Sequence, residues 1–262
     1  MRLSIVTAVF NNRDTVAHAL ESLFTQTHPD IEPVVIDGGS TDGTLEILRS
    51  HRDRLSVLVS EPDRGVYDAL NKGVGLASGD VVGFLHSDDL LAAPDALARV
   101  AAAFADPAVD GVYGDLVYVR RSDCEHVVRH WRAGGYSRAR LAWGWLPPHP
   151  ALFLRRRVYE RFGLFDTSYR IAADYDFMLR VLQGGVRIEH LPGVLVKMRV
   201  GGMSNRTLAN ILRKSAEDYR ALKANRVGGL GALTWKNLGK LPQLRLVKWP
   251  SAAGRKAVRP AS

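Results

Sequence analysis

The chain alternates short apolar runs with stretches that carry an apolar residue at every third or fourth position. The runs are Arg2–Phe10, Val34–Asp37, Leu55–Val59, Asp80–Leu85, Val109–Val119 and Ala151–Leu154, with a last one inside Val186–Val200. They are short, dominated by Val, Ile, Leu and Phe, and bounded by turn residues, so each predicts a strand buried on both faces. Between them, Ala17, Leu20, Leu23 and Phe24 recur at helical spacing after Asp14, which can cap that helix. Leu45 and Leu48 mark a second helical face, and Val66, Ala69, Leu70, Val74 and Ala77 a third. Further helices are predicted over Pro94–Phe104, Arg155–Phe162, Ala173–Gln183 and Arg206–Arg226. Pro29–Pro33 and Pro147–Pro150 read as turns, and His126–Gly144 as irregular surface chain. Strands alternating with helices in this way predict an α/β fold with a mostly parallel, doubly wound sheet.

Composition narrows the class. With 262 residues, 46% of them hydrophobic, the chain can bury one large core and is not disordered as a whole. The single cysteine, Cys124, excludes an intrachain disulfide. The N-terminus lacks the features of a secretory signal, and no window of apolar residues is long enough to cross a bilayer, so a cytoplasmic protein is expected. The charge of +9 is unevenly placed. Residues 206–262 hold 13 Lys and Arg against 2 Asp and Glu, a net of +11, which leaves −2 for the first 205 residues. This division predicts a body over 1–205 and a basic tail over 206–262 that faces an anionic partner. After Gly228-Gly229, Leu230, Leu233, Trp235, Leu238 and Leu241 interleave with Lys236, Lys240, Arg245 and Lys248. That pattern fits a helix lying in a membrane interface, and equally a helix packed on the body with solvated charges. Few tail aromatics are placed to stack on bases, so no nucleic-acid partner is expected.

Chemistry concentrates where strands stop. The run from Asp80 to Leu85 ends abruptly in His86-Ser87-Asp88-Asp89. In an open α/β sheet the carboxyl edge of the strands is where ligands bind. Two adjacent carboxylates there either hold a divalent cation between them or cap the following helix. Asp37 ends the second strand, where it can accept an N–H from a nucleobase or from Ser40 and Thr41 of its own turn. Asp42 reads as the cap of the next helix. Asp174 opens the helix at Ala173, where it reads as an N-cap.

Four segments then fall in a recognisable order: Val6-Thr7-Ala8-Val9-Phe10-Asn11, Val35-Ile36-Asp37-Gly38-Gly39-Ser40-Thr41-Asp42-Gly43-Thr44, Phe84-Leu85-His86-Ser87-Asp88-Asp89 and Ala172-Ala173-Asp174-Tyr175-Asp176-Phe177-Met178-Leu179-Arg180. Over residues 1–205 this order and spacing resembles the family 2 glycosyltransferases, which have the GT-A fold and use nucleotide-sugar donors. The run Arg64-Gly65-Val66-Tyr67-Asp68-Ala69-Leu70-Asn71-Lys72-Gly73 brings it nearest to the bacterial members that build exopolysaccharide and O-antigen. The resemblance implies a Rossmann-like, mostly parallel central sheet flanked by helices, followed here by a helical basic C-terminal tail. It places Thr7, Ala8, Val9, Asp37 and Arg64 at the nucleotide. It places Asn71, Lys72, Ser87 and Arg199 near the donor sugar and diphosphate, with Arg199 and Gly201-Gly202-Met203-Ser204 as a lid; Lys72 also reads as a solvated helix residue.

The same resemblance makes Asp88 a ligand of Mn²⁺ or Mg²⁺ and Asp89 a ligand or water-mediated support. His86 stands where the family usually has an acid; a neutral imidazole suits Mn²⁺ better than Mg²⁺, or contacts ribose or phosphate. Asp174 becomes the base of an inverting displacement, with Ala173 in place of the usual preceding Glu, and Asp176 points away from it. His149 and Trp145, together with Trp143, stand on the acceptor side; core packing accounts for them equally well. The implied donor is a nucleoside-diphosphate sugar, UDP-linked by preference. The implied acceptor is a glycan or an undecaprenyl-diphosphate-linked saccharide at the inner membrane face. A processive synthase is not expected, because the Gln-x-x-Arg-Trp motif is absent. A nucleotidyltransferase would carry a glycine-rich basic loop where this chain has Asn11-Asn12-Arg13-Asp14. A binding protein of the same fold would not need both Asp88 and Asp174.

Overall fold

The computed structural model describes residues 1–201 and 208–228. Strand β1, Leu3–Val9, is buried along its whole length, as an uninterrupted apolar run requires. It pairs in parallel with β2, Ile31–Asp37, and with β4, Val81–Phe84, and β2 pairs in parallel with β3, Val57–Ser60. Helices α1, Val16–Phe24, α2, Thr44–Ser50, and α3, Val66–Leu76, are the three crossovers. The order β3-β2-β1-β4 reverses the direction of winding between β1 and β4, and the cleft opens at the carboxyl ends of these strands. Val9 lies opposite Asp37 in the register, so the ends of β1 and β2 reach that edge together.

Beyond β4 the sheet is mixed. Strand β8, Leu152–Arg155, runs antiparallel to β4 and to β6, Gly111–Arg120. Strand β9, Ile188–Arg199, is parallel to β6, and β5, Leu90–Leu91, is antiparallel to β9. The ninth strand, β7, Asp123–Trp131, pairs antiparallel with β6. Helices α4, Ala96–Ala103, α5, Arg138–Ala142, α6, Arg156–Phe162, and α7, Ala173–Gln183, cover the faces. The parallel half matches expectation. The antiparallel insertion of β8 places Pro147–Pro150 and the start of α7 beside the end of β4 rather than across the molecule.

Several local expectations change. The stretch predicted to be irregular, His126–Gly144, instead takes in the later part of β7 and all of α5; β7 is an edge strand whose inner side is only half covered and carries Cys124, Val127 and Arg129, so no apolar alternation announces it. Asp14 does not cap α1; Thr15 precedes the helix, and Asp14 is exposed, 4.0 Å from Arg121. The buried stripe of α1 is Val16, Ala19, Leu20 and Leu23, with Ala17 only half-buried. Leu45 is half-buried, and Thr44 and Leu48 carry the inner face of α2. Val66 is exposed, and α3 presents Ala69, Leu70, Gly73 and Val74 to the sheet. Gly73 is required there: a Cβ would stand 2.3 Å from Val6 Cγ1, so α3 lies directly on β1.

Helix α8, Leu208–Ala224, packs on α7, burying Ala221 and Leu222 completely. The described part of the basic segment is therefore docked on the body. The apolar and basic stretch after Gly229 lies outside the described residues. Among the described residues no helix is long and apolar enough to cross a membrane.

Candidate active site

The turn after β4 is tied to the turns after β1 and β2. Asn12 Nδ2 donates to Ser87 Oγ at 2.7 Å, Thr15 Oγ1 donates to the Ser87 carbonyl at 3.0 Å, and the Asn12 N–H reaches Thr44 Oγ1 at 2.9 Å. Ser87 is buried in this seam. Asp88 is half-buried, and no described residue donates a hydrogen bond to its carboxylate, although its backbone carbonyl accepts from Arg199 Nη1 at 2.6 Å. Asp89 differs. Only 1% of it is exposed, and Oδ1 accepts the Arg199 N–H at 3.2 Å. Burial, then the Asp88 charge, pushes the Asp89 carboxyl well above the usual range. A carboxyl so placed favours its neutral form as long as no cation lies beside it. Arg199 is buried; its guanidinium braces the Asp88 carbonyl and lies 3.4 Å from His18 Nδ1. Residues 202–204 of the expected lid lie outside the described residues.

Facing this turn is the first turn of α7. Asp174 Oδ1 accepts the Tyr175 N–H at 2.8 Å and lies 3.0 Å from the Tyr67 hydroxyl on α3. The same hydroxyl lies 2.7 Å from the Ile171 carbonyl, so its proton is shared between the two acceptors. Burial alone would raise the Asp174 carboxyl. His149, Lys214, the Tyr67 hydroxyl and the Tyr175 N–H outweigh it and hold the group below the usual carboxylate range. Asp176 turns away, as expected, to Arg180 at 2.9 Å and Asn225 at 2.8 Å.

Two imidazoles complete the site. The rings of His86 and His149 are 6.2 Å apart. His149 is buried between Phe84, at 5.2 Å, and Phe165, at 5.6 Å, and its Nε2 has no partner among the described residues. Burial pushes its pKa down to about 4. Burial also lowers His86 and prevails over the opposing pull of Asp88 and Asp174, the two carboxylates that act on it. Two neutral imidazoles thus stand with one ionised carboxylate, Asp174, and one carboxylate, Asp88, to which no described residue donates a hydrogen bond. Among the described residues no three His, Cys, Asp or Glu side chains could hold a metal by themselves. The donor set fits a hard divalent cation that takes Asp88 from the protein and further oxygens from a diphosphate.

The nucleotide-side residues sort differently from expectation. Asp37 is fully buried and accepts from the Ser40 N–H (3.1 Å), Ser40 Oγ (2.5 Å) and Ser60 Oγ (2.7 Å), which is the turn role. Thr7, Ala8 and Val9 are buried within β1; by strand alternation Thr7 and Val9 face the α1–α2 layer, and Ala8 faces α3. What reaches the edge is Phe10, 64% exposed, its ring 3.4 Å from where a Gly38 Cβ would stand. Sequence reasoning passed over Phe10, although an aromatic as the last apolar residue of a ligand-edge strand was the available signal. Arg64 is exposed and pairs with Asp68 at 3.3 Å. Lys72 pairs with Asp63 at 2.5 Å and Glu61 at 2.7 Å, bonds that raise its pKa and tie it to the loop before α3. Asn71 clamps the backbone of Phe165 from both ends of its amide, at 2.8 and 2.9 Å. Trp145 is partly buried; it packs on Tyr113 and Tyr136 and donates to the Ala133 carbonyl at 3.2 Å. Trp143 is 58% exposed.

Comparison with known proteins bears on this geometry. The family described as Glycosyl transferase family 2 matches residues 4–162. A PGL/p-HBAD biosynthesis glycosyltransferase of Mycobacterium tuberculosis is 35% identical over 208 residues, 77% of this chain and 78% of that protein. Among solved structures, residues 1–349 of Staphylococcus aureus TarS in complex with UDP-GlcNAc superpose with a TM-score of 0.67 at 19% identity, covering 86% of this chain and 65% of that one. The mannosyltransferase PcManGT of Pyrobaculum calidifontis, in complex with GDP-Man and Mn²⁺, superposes with a TM-score of 0.65 at 22% identity, covering 93% and 72%. The chain spans 39% of the longer TarS chain. At these identities the superpositions establish the fold.

Proposed function

Because the chain belongs to glycosyl transferase family 2, we propose that it moves a hexosyl or N-acetylhexosaminyl unit, with inversion, from a nucleoside-diphosphate sugar to a hydroxyl of a saccharide or lipid-linked saccharide. The observation that carries this reading is the pairing of Asp174, held ionised, with Asp88, whose carboxylate no described residue occupies, on either side of His86. Phe10 and the loop ordered by Asp37 receive the nucleoside. A UDP-sugar is the first choice, since TarS takes UDP-GlcNAc. Asp88 would hold a Mn²⁺ or Mg²⁺ ion, which would supply neutralisation of the negative charge on the departing nucleoside diphosphate. PcManGT, with GDP-Man and Mn²⁺, supports such a site.

Asp174 removes the proton of the acceptor hydroxyl as that oxygen attacks the anomeric carbon. The bond from that carbon to the diphosphate oxygen breaks with its electron pair, and the configuration inverts in one displacement. His149 Nε2, neutral and unpartnered, is placed to bond a sugar hydroxyl. The acceptor is a cell-surface glycan precursor, which the PGL/p-HBAD relative supports, and residues 229–262 hold the enzyme at the inner face of an anionic membrane. Hydrolysis of UDP-glucose, UDP-GlcNAc and GDP-mannose, each with Mn²⁺ and with chelator, tests this. One donor should be cleaved in a metal-dependent manner and lose that dependence in Asp88→Asn. Cleavage of none, with no nucleotide bound, would reject the assignment.

A further inference from the structure

The matched family segment ends at residue 162, before α7 and α8. Helix α8 nevertheless reaches the chemistry. The N-cap of α7, Ala172, has no side chain able to cap. Its place is taken from another helix. Glu217 of α8 accepts three consecutive backbone N–H groups: Arg170 at 3.1 Å on Oε1, and Ile171 at 2.8 Å and Ala172 at 3.0 Å on Oε2. A carboxylate against several peptide N–H groups at the head of a helix makes charge-assisted bonds. The clamped turn is continuous with the base. Ile171 is held at its N–H by Glu217, and at its carbonyl by the Tyr67 hydroxyl that also contacts Asp174. The rest of α8 fastens the same region: Arg220 donates to Ser168 Oγ at 2.9 Å and lies over the Tyr169 ring at 3.6 Å, and Asn225 holds Asp176.

We propose that Glu217 is a positioning residue for catalysis: α8 supplies in trans the cap that α7 lacks, and through Ile171 and Tyr67 this clamp sets the orientation of the Asp174 carboxylate. The inference rests on Asp174 being the base. It gives the C-terminal helix a share in the chemistry. Orientation errors on the ångström scale are costly at a reacting centre, so the loss should appear in kcat and not in donor affinity.

The test uses the full chain and whichever of UDP-GlcNAc and GDP-mannose it hydrolyses faster with Mn²⁺. Glu217→Gln keeps the size of the side chain, removes its charge and turns an amide N–H₂ toward donors. It should lower kcat about tenfold, with UDP or GDP affinity within about twofold of the parent. Amide hydrogen exchange should accelerate at 170–172, a readout independent of turnover. Tyr67→Phe cuts the relay. If Glu217 acts through it, the double variant should be no slower than the slower single variant by more than about twofold. Multiplying costs, or a kcat unchanged in Glu217→Gln, overturns the proposal. A merely structural Glu217 would accelerate exchange and lower the melting temperature while kcat well below the melt stayed at the parent value. Asp174→Asn separates the two failures. If it is inactive while Glu217→Gln is not impaired, the base stands and the clamp fails; if it turns over at the parent rate, the assignment of the base itself is wrong. Should Glu217→Gln not fold, Tyr67→Phe alone decides, since it must lower kcat if the carboxylate is held through that hydroxyl.

Discussion

His149 offers a prediction whose size follows from its surroundings. The imidazole is 6% exposed, stacked on Phe84 and edge-to-face with Phe165, and its pKa is pushed down to about 4 from an ordinary 6.5. Above about pH 6.5 the group is neutral whether the chain is folded or not, and it contributes nothing to pH dependence. As pH falls below that value, the unfolded chain takes up a proton that the folded chain refuses. Stability is therefore lost between about pH 6.5 and pH 4, by about 2 kcal/mol at pH 5 and about 3 kcal/mol in full. His149→Leu removes the group and leaves an apolar side chain in the slot. Urea midpoints of the two proteins should be compared at intervals from pH 7.5 to pH 4.5. The variant starts from its own baseline at neutral pH, and only the slopes matter. The parent should lose about 2 kcal/mol more than the variant between pH 7.5 and pH 5. Parallel slopes would refute the reasoning, because they would mean that His149 accepts its proton in place.

Three further outcomes follow from the site and its frame. Asp174→Asn keeps an oxygen that accepts from the Tyr67 hydroxyl and the Tyr175 N–H, so nucleotide binding by calorimetry should persist while turnover falls about 10²- to 10⁴-fold. Because the Asp174 carboxyl is held below the usual range, the acid limb of the parent pH–rate profile should lie below the ordinary aspartate value, with a plateau above about pH 5; a limb near neutrality would contradict it. Its stabilising share is likewise present above the unfolded pKa and lost as pH drops through the folded one. Gly73→Ala, whose Cβ would stand 2.3 Å from Val6 Cγ1, should destabilise the fold by about 1–3 kcal/mol in a melting experiment, whereas Gly75→Ala on the open side of the same helix should not.

What the sequence determined by itself is the frame and its two anchors. Apolar runs such as Leu3–Val9 can be satisfied only inside a sheet, and α3 carries its inner residues at helical spacing, so the parallel half was legible. The places of Asp88 and Asp174 in the fold were legible for the same reason. One lies in the turn after a buried strand and the other in the first turn of a helix, and each position follows from the element next to it. The tertiary structure alone decided which polar groups remain available. Lys72 is engaged by Asp63, Asn71 by Phe165, and Asp89 by Arg199, the last two across 94 and 110 residues of chain. Glu217 comes 45 residues after the turn it caps. A buried polar group takes whatever partner the fold brings within hydrogen-bond distance, and that partner leaves no trace in local spacing. Periodicity reports burial, which is a property of each element. The chemistry of the site depends on which donors and acceptors remain unpaired, and that is a property of the whole fold.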